Sequence, residues 1–422
     1  MVYATARLET CAKQVYHTVR GKNASAVINR RLHKIPDTLT IVRQVISVRK
    51  IITEKYSCRS CGEIRNAPKP KSMVPGSSYD TPEFLADIAI NRYQHGLPFY
   101  RLETVYGNLG LNIPRSTLAN LMINTADKLV AIKELMREEL LSQPVVHADE
   151  TTIQVLKEAG RKPEQKSYQW LFMSGAETQK PVIYFEYNTS RSGQFAADTL
   201  SLNGEEYRGY LSVDGYKGYN KLSNAIRVGC MAHVRRKFDE ALKALPNNAQ
   251  SSNAQTALEM IAQLYEVEKR IKSQPPDEKY KIRQRDSVPI LSQIKDWLDN
   301  LMPKVLPRSP LGKAINYFLS EWQYVSRYVD DGRLAIDNNI AERQIKQFVI
   351  GRKNWLFADS VDGAHTNAIM YSLIATAKAN GLNPYEYLLE LFTKLPNIKA
   401  EELKTLLPWN FKDNQQELKK VA

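Results

Sequence analysis

The spacing of apolar side chains changes twice along the chain. In residues 81–142 they recur three and four apart. PEFLADIAINRYQHG, FYRLETVYGNLG and PRSTLANLMINTADKLVAIKELMREELLS each predict an amphipathic helix, with Gly96 as a stop and Pro114 at a start. From residue 144 the runs shorten and become rich in β-branched and aromatic residues. VVHADETTIQVL, SYQWLFMSG and PVIYFEYNT predict strands separated by turns. SGQFAADTLS predicts a helix, GYLSVDGY a strand, and AIRVGCMAHV a short apolar segment running into a helix. Residues 235–330 return to helical spacing, broken at SQPPDEKYK. NNIAERQIKQFVIG and AHTNAIMYSLIATAKANG predict two more helices, the second stopped at Gly381.

Three strands, a helix, a strand, a short strand and a helix, followed by a helical interruption, predict an α/β catalytic domain with an RNase H-like mixed sheet over residues 144–384. The interruption, about 238–330, reads as a helical insertion. Residues 76–143 form a helical region, and 385–422 read as a C-terminal helical tail. Ahead of these, 41–57 alternate apolar and polar positions like a strand pair. CRSCGEIRNAPKPKSMVPGSS then breaks into a linker. Residues 1–75 therefore read as a small, zinc-finger-like segment.

Charge sharpens this division. The net charge is +14, and residues 1–75, with fifteen Lys/Arg against four Asp/Glu, hold +11 of it. A basic front ahead of a near-neutral remainder predicts a polyanionic partner. Four cysteines in 422 residues exclude a disulfide scaffold. No apolar run approaches the roughly 20 residues of a membrane span, and MVYATARLETCAKQVYH lacks the apolar core of a signal peptide. The expected location is cytoplasmic, at the nucleoid.

Three acidic residues carry the candidate chemistry. Asp149 sits on a strand where period 2 puts His147, Asp149 and Thr151 on one face and Glu150 opposite. Asp214 ends a strand, with Gly215 allowing a tight exit. Glu342 is expected about one and a half turns into a helix that Asp337 or Asn338 caps, with Lys346 on the same face. Two strand-borne aspartates and one helix-borne glutamate suit a pair of Mg²⁺ or Mn²⁺ ions, which cut and join phosphodiester bonds.

Around them lie candidate DNA contacts. Arg235, Arg236 and Lys237 follow the C-x-x-H of Cys230 and His233, a metal half-site without an obvious second half. Arg343, Lys346, Arg352, Lys353 and Trp355 lie along and just past the glutamate helix. Arg115, Ser116, Thr117 and Asn120 open a helix after a Gly-containing turn, serving either as a groove-reading helix or as a scaffold hairpin. Cys58 and Cys61 form one zinc knuckle, either half of a zinc site or two free thiols.

HADET, SVDGY, GCMAHVRRKF, DNNIAERQIK, GRKNWLFA, YSLIATAKANGLNPYEYL and LLPWN, in this order, resemble the transposases of the IS66 insertion-sequence family. The similarity runs from about Leu39 and is dense from Val145 to Leu388. It implies a DDE transposase whose triad is Asp149, Asp214 and Glu342. Such an enzyme binds terminal inverted repeats and target DNA, acts as a homo-oligomer on paired ends, and works with accessory proteins of the same element. The C-x-x-H matches a feature of several DDE groups. The front departs from the pattern. The family's first C-x-x-C has no counterpart, and RLHKIPDTLTIVRQV resembles a shortened form of the stretch joining two knuckles. Two rival functions remain: a DNA-binding remnant without catalysis, and an RNase H-like nuclease or resolvase that cuts without joining.

Overall fold

The core is a mixed six-stranded sheet in a computed structural model that describes residues 46–52, 54–66, 71–245 and 252–411. Strands β3 (Val145–Lys157), β4 (Lys166–Ser174) and β5 (Ile183–Asn188) form an antiparallel meander. β6 (Tyr210–Ser212) and β7 (Ile226–Val228) then add in parallel on the other side of β3. The order is β5-β4-β3-β6-β7. A short strand, Ala358–Ser360, pairs in parallel with the far end of β3. The chain is thus a mixed α/β protein. Residues from Val48 onward form one compact unit, and the unit before it lies almost wholly outside the described residues.

β3 is buried on both faces at its start because helices cover both sides. The helices of residues 81–142 appear as expected: α1 (Pro82–Ala89), α2 (Phe99–Asn108) and the 27-residue α3 (Arg115–Leu141). α1 runs into a wider turn, Ile90–Gln94, where His95 N–H donates to Ile90 O five residues back, and Gly96 exits at φ +72°. Such wide turns often mark functional positions. Past β5 come α4 (Gly193–Thr199) and, after β7, α5 (Met231–Lys243). Gly193 packs so closely on the loop after β6 that a Cβ would lie 2.0 Å from Gly218 O, so only glycine fits there.

The expected insertion is four helices: α6 (Asn253–Arg270), α7 (Pro276–Ile282), α8 (Val288–Leu301) and α9 (Pro310–Val325). It shares one apolar cluster with Val145, Val228 and the buried face of α5, so it is fixed to the sheet. Arg283, 2 % exposed, binds Glu268 through two nitrogens and donates to the carbonyls of Tyr328, Asp331 and Leu334. A fully paired buried guanidinium of this kind fixes the loop that leads into α10 (Asn339–Trp355).

α11 (Val361–Ala379) is apolar nearly all round and buried. Its Ser372 and Thr376 hydroxyls accept from the β5 amides of Phe185 and Ile183 at 2.7 and 2.9 Å, satisfying an edge that would otherwise be open. α12 (Pro384–Lys394) opens the expected C-terminal helical tail, which packs on the body through the turns after it. Leu406, Trp409 and Phe411 are buried, and Tyr387 donates to Leu406 O.

The front also needs correction. The strand pair expected in 41–57 is not found in its described part. Instead β1 (Lys55–Ser57) pairs with β2 (Ile64–Asn66) across the cysteine turn. The knuckle itself closes the hairpin: Gly62, at φ +68°, donates to Cys58 O, and Cys58 N–H donates to Glu63 O. That turn chemistry outweighs the weak upstream alternation.

Candidate active site

β3, the loop after β6 and the start of α10 each bring one of the three acids to the same region. Asp149 lies mid-β3. Its Oδ1 accepts from Glu150 N–H at 2.9 Å. Burial, then Glu150, and further Asp214 and Glu342 push its carboxyl up to about 7. Asp214 follows β6 by two residues. Its Oδ1 accepts from Tyr216 N–H at 2.9 Å, and its own carbonyl accepts from Arg227. Gly215 beside it is approached by Tyr317 of α9, where a Cβ would sit 2.5 Å from the hydroxyl.

Glu342 lies in the first turn of α10, a little earlier than expected, and Asn338, one of the two expected caps, holds the N-cap position. The Asn338 side chain does not cap. It donates to Ala148 O and accepts from His147 Nδ1, both at 2.8 Å, while its own N–H meets Cys230 Sγ at 3.2 Å. Asp337 takes over the capping role, accepting from Asn339 N–H. A buried amide therefore pins α10 to β3 one residue from Asp149. His147 and Thr151 both meet α10 or its N-cap, as period 2 expects, although Arg352 also reaches the Thr152 hydroxyl.

Glu342 Oε1 is buried without a hydrogen-bond partner, and Oε2 lies 3.6 Å from Arg236. His233 Nδ1, also unpartnered, lies 3.8 Å from Oε1. Among the described residues, Cys230, His233 and Glu342 form the one group of three potential ligands whose donor atoms all lie within 4.8 Å. Glu342 thus gives the C-x-x-H its missing third donor. Burial pushes the Cys230 thiol up to about 12. Asp149, Asp214 and Glu342 are spread more widely.

The sequence reading missed a second polar network. Glu150, set opposite Asp149, is buried and held by Arg191 and by Tyr219 Oη at 2.5 Å, and Arg191 stacks on Tyr216 at 4.1 Å. Burial raises the Glu150 carboxyl, Tyr219 and Arg191 oppose this, and Asp214 adds to it. Alternation gave the face correctly but not the partners, which come from loops 41 and 69 residues away.

The candidate DNA contacts divide. Arg115, Arg235, Arg236, Arg343, Lys346 and Lys353 are exposed, and Lys237 pairs with Glu240. Arg352 instead reaches β3, donating to Thr151 Oγ1 at 3.1 Å and to Thr152 O. The GRKNWLF segment is not a loop: α10 continues to Trp355, which is buried, and turns only at Leu356, at φ +68°. Cys58 and Cys61 are exposed on the hairpin turn. A contact with Ser60, then backbone N–H groups, lower the Cys58 thiol to about 6. Cys11, His17 and His33, the remaining ligand candidates, lie outside the described residues. Among the described residues no helix is long and apolar enough to cross a membrane.

Comparison with known proteins gives the family. Residues 77–366 match the Transposase IS66 family, and residues 372–409 match the IS66 C-terminal element. Two relatives from Sinorhizobium fredii are described as uncharacterized proteins. One, y4jD, is 31% identical over 93% of this chain and 79% of its own length; the other, y4qI, is 30% identical over 86% and 69%. The chain belongs to the IS66 family of transposases.

Proposed function

We propose that this chain is a DDE transposase that cuts the 3′ ends of its element and joins them to target DNA. The observation that carries the reading is the convergence of three carboxylates from β3, the β6 loop and α10, close enough that Asp214 and Glu342 both perturb Asp149. The strand order, an antiparallel meander extended in parallel beside β3, supports an RNase H-like sheet.

Asp149, Asp214 and Glu342 would hold Mg²⁺ or Mn²⁺, and the donor set fits: all-oxygen ligands, a buried acid held up near 7 by its neighbours, and a buried Glu342 oxygen without a partner. Bound there, such ions activate the attacking oxygen and stabilise the leaving one. The chain's own residues do the rest. Asn338 fixes Glu342 against β3, and the Glu150–Arg191–Tyr219 network supports the opposite face. Exposed Arg235 and Arg236 at the start of α5 suit DNA phosphates beside the acids. Water attacks the phosphodiester at the 3′ end, and the freed 3′-hydroxyl attacks target DNA, one bond made for one broken. Cys58 and Cys61, exposed and with one thiol lowered, suit a zinc ion completed by ligands elsewhere in the chain.

The test is Mn²⁺-dependent strand transfer by the purified chain from a 3′-hydroxyl-ended repeat donor to a plasmid. Joined product lost in Asp149→Asn, Asp214→Asn and Glu342→Gln supports the triad. Binding without joining would identify a DNA-binding remnant, and cutting without joining a nuclease.

A further inference from the structure

A well-formed cavity lies away from the acids. It holds about 600 Å³ and lies between the wide turn after α1, the start of α3 and the end of α10. This size is ordinary for a ligand site. Its inner wall carries Arg92, 6 % exposed, whose guanidinium sits 4.9 Å from both the Phe99 and the Trp355 ring.

Other buried arginines show what is unusual here. Arg283 is fully paired, and Arg227, although its Nε is also buried without a partner, is held through its other nitrogens by Glu321, Asn220 and the Asp214 carbonyl. Arg92 has Nε and Nη1 buried with no hydrogen-bond partner among the described residues. Rings balance its charge from the sides but offer its N–H groups no acceptor. The one acid on the cavity wall, Asp359, is paired with Lys157.

The other features of the cavity also favour an anion. Arg115 and Ser116, which line the cavity, open α3, whose N-cap Pro114 offers no side-chain cap to the first N–H groups of a long helix. Tyr100 and Phe357, 47 % and 41 % exposed, line the same cavity. Two features that the sequence kept apart, the Arg115 helix and the Trp355 segment, meet around Arg92.

We propose that this cavity takes one unpaired nucleotide of a DNA strand, with its phosphate at Arg92 and the start of α3 and its base against Tyr100 and Phe357. This rests on the transposase reading, because it is DNA that brings the nucleotide. A base still paired in a duplex cannot enter, so the site selects single-stranded or frayed DNA. Glu342 and Trp355 stand at opposite ends of one helix, 13 residues apart, or roughly 20 Å. The nucleotide held is therefore separated from the scissile phosphate by that distance.

The experiment measures binding of the full chain to a labelled five-thymidine oligonucleotide, to an abasic oligonucleotide of equal length and to a short duplex. Tyr100→Ala and Phe357→Ala, at exposed positions, are expected to weaken thymidine binding at least fivefold, with the abasic strand and the duplex unaffected. Arg92→Met is expected to weaken thymidine binding tenfold or more, and Arg115→Ala severalfold. The ring variants keep the test open if Arg92→Met fails to fold. Variants that bind all three probes like the parent, or that weaken duplex and single strand alike, overturn the proposal, as does abasic binding as tight as thymidine. Leu306→Ala, at a 78 % exposed position outside both the acids and the cavity lining, serves as the control and is expected to bind normally. Oligonucleotide binding that depends on Tyr100 in a parent chain that neither cuts nor joins would sink the transposase chemistry and leave the cavity standing.

Discussion

If Asp149 is part of a metal-holding triad, removing its charge must stabilise the metal-free protein. Burial, with the neighbouring carboxylates of Glu150, Asp214 and Glu342, lifts its carboxyl from 3.8 to about 7. A folded value above the unfolded one means that its favourable contribution is complete below about pH 4 and is lost as pH rises through 7. The difference corresponds to about 4 kcal/mol between those limits. Asp149→Asn keeps an oxygen for the Glu150 N–H and carries no charge, so it escapes this loss. With about 2 cal/mol/K of unfolding entropy per residue over roughly 370 residues, 4 kcal/mol moves Tm by about 5 °C. Thermal unfolding of both chains at pH 4 and pH 8, with chelator and with Mn²⁺, reads this directly. At pH 4 the two unfold alike. At pH 8 with chelator the Asn variant is the more stable, and Mn²⁺ then raises the parent while leaving the variant unmoved. An Asn variant no more stable than the parent at pH 8, or one still stabilised by Mn²⁺, would refute the reasoning.

Other parts of the fold make equally definite demands. Asn338→Ala leaves His147 Nδ1 and Ala148 O buried without partners and should cost about 2–4 kcal/mol in urea unfolding, with strand cleavage falling further than stability because Glu342 loses its anchor. Asn338→Asp is expected to do no better, since it sets a carboxylate against the Ala148 carbonyl. Burial raises Glu186, but Lys133, His365 and Tyr184 outweigh it and hold the carboxyl at about 2. That depressed value stabilises the fold above about pH 4.5, by about 3 kcal/mol, and the gain is lost as pH falls toward 2. Lys133→Met should therefore shift the acid-unfolding midpoint upward, and an unchanged midpoint would show the pair to be idle. Ser372→Ala removes the acceptor of the Phe185 amide, and hydrogen exchange at that amide should accelerate with a loss of about 1–3 kcal/mol.

Much of this could be read from the chain because local periodicity and punctuation agree with the tertiary packing. The strands 145–157, 166–174 and 183–188 fall where β-branched and aromatic residues cluster, and Pro114, Gly96 and Gly381 mark helix limits that the backbone needs. Failures come where a distant partner decides. Residues 41–57 alternate, yet the hairpin forms around Cys58 and Gly62, because a short turn closed by two backbone hydrogen bonds outweighs a weak pattern. Arg352 read as a clamp for DNA, yet its guanidinium reaches Thr151 and Thr152, 200 residues earlier. Asn338 read as a cap, yet its amide serves β3. Arg92 gave no signal at all, because a donor without an acceptor is a property of packing and not of spacing.

Two of these misses, Asn338 and Arg352, belong to one helix, and together they explain its job. α10 begins at the amide that joins it to His147 and Ala148, and near its end Arg352 joins it to Thr151 and Thr152. A helix tied to one strand at both ends cannot slide or rotate without breaking buried hydrogen bonds at either end. Its first turn carries Glu342 toward Asp149, and its last carries Trp355 to Arg92. The acidic cluster and the cavity are thus held at a fixed separation by a single rigid element. On the proposed reading, a strand that enters the cavity would meet the acids at a set number of bonds along its length, and the geometry that fixes the glutamate would also set where the strand is cut.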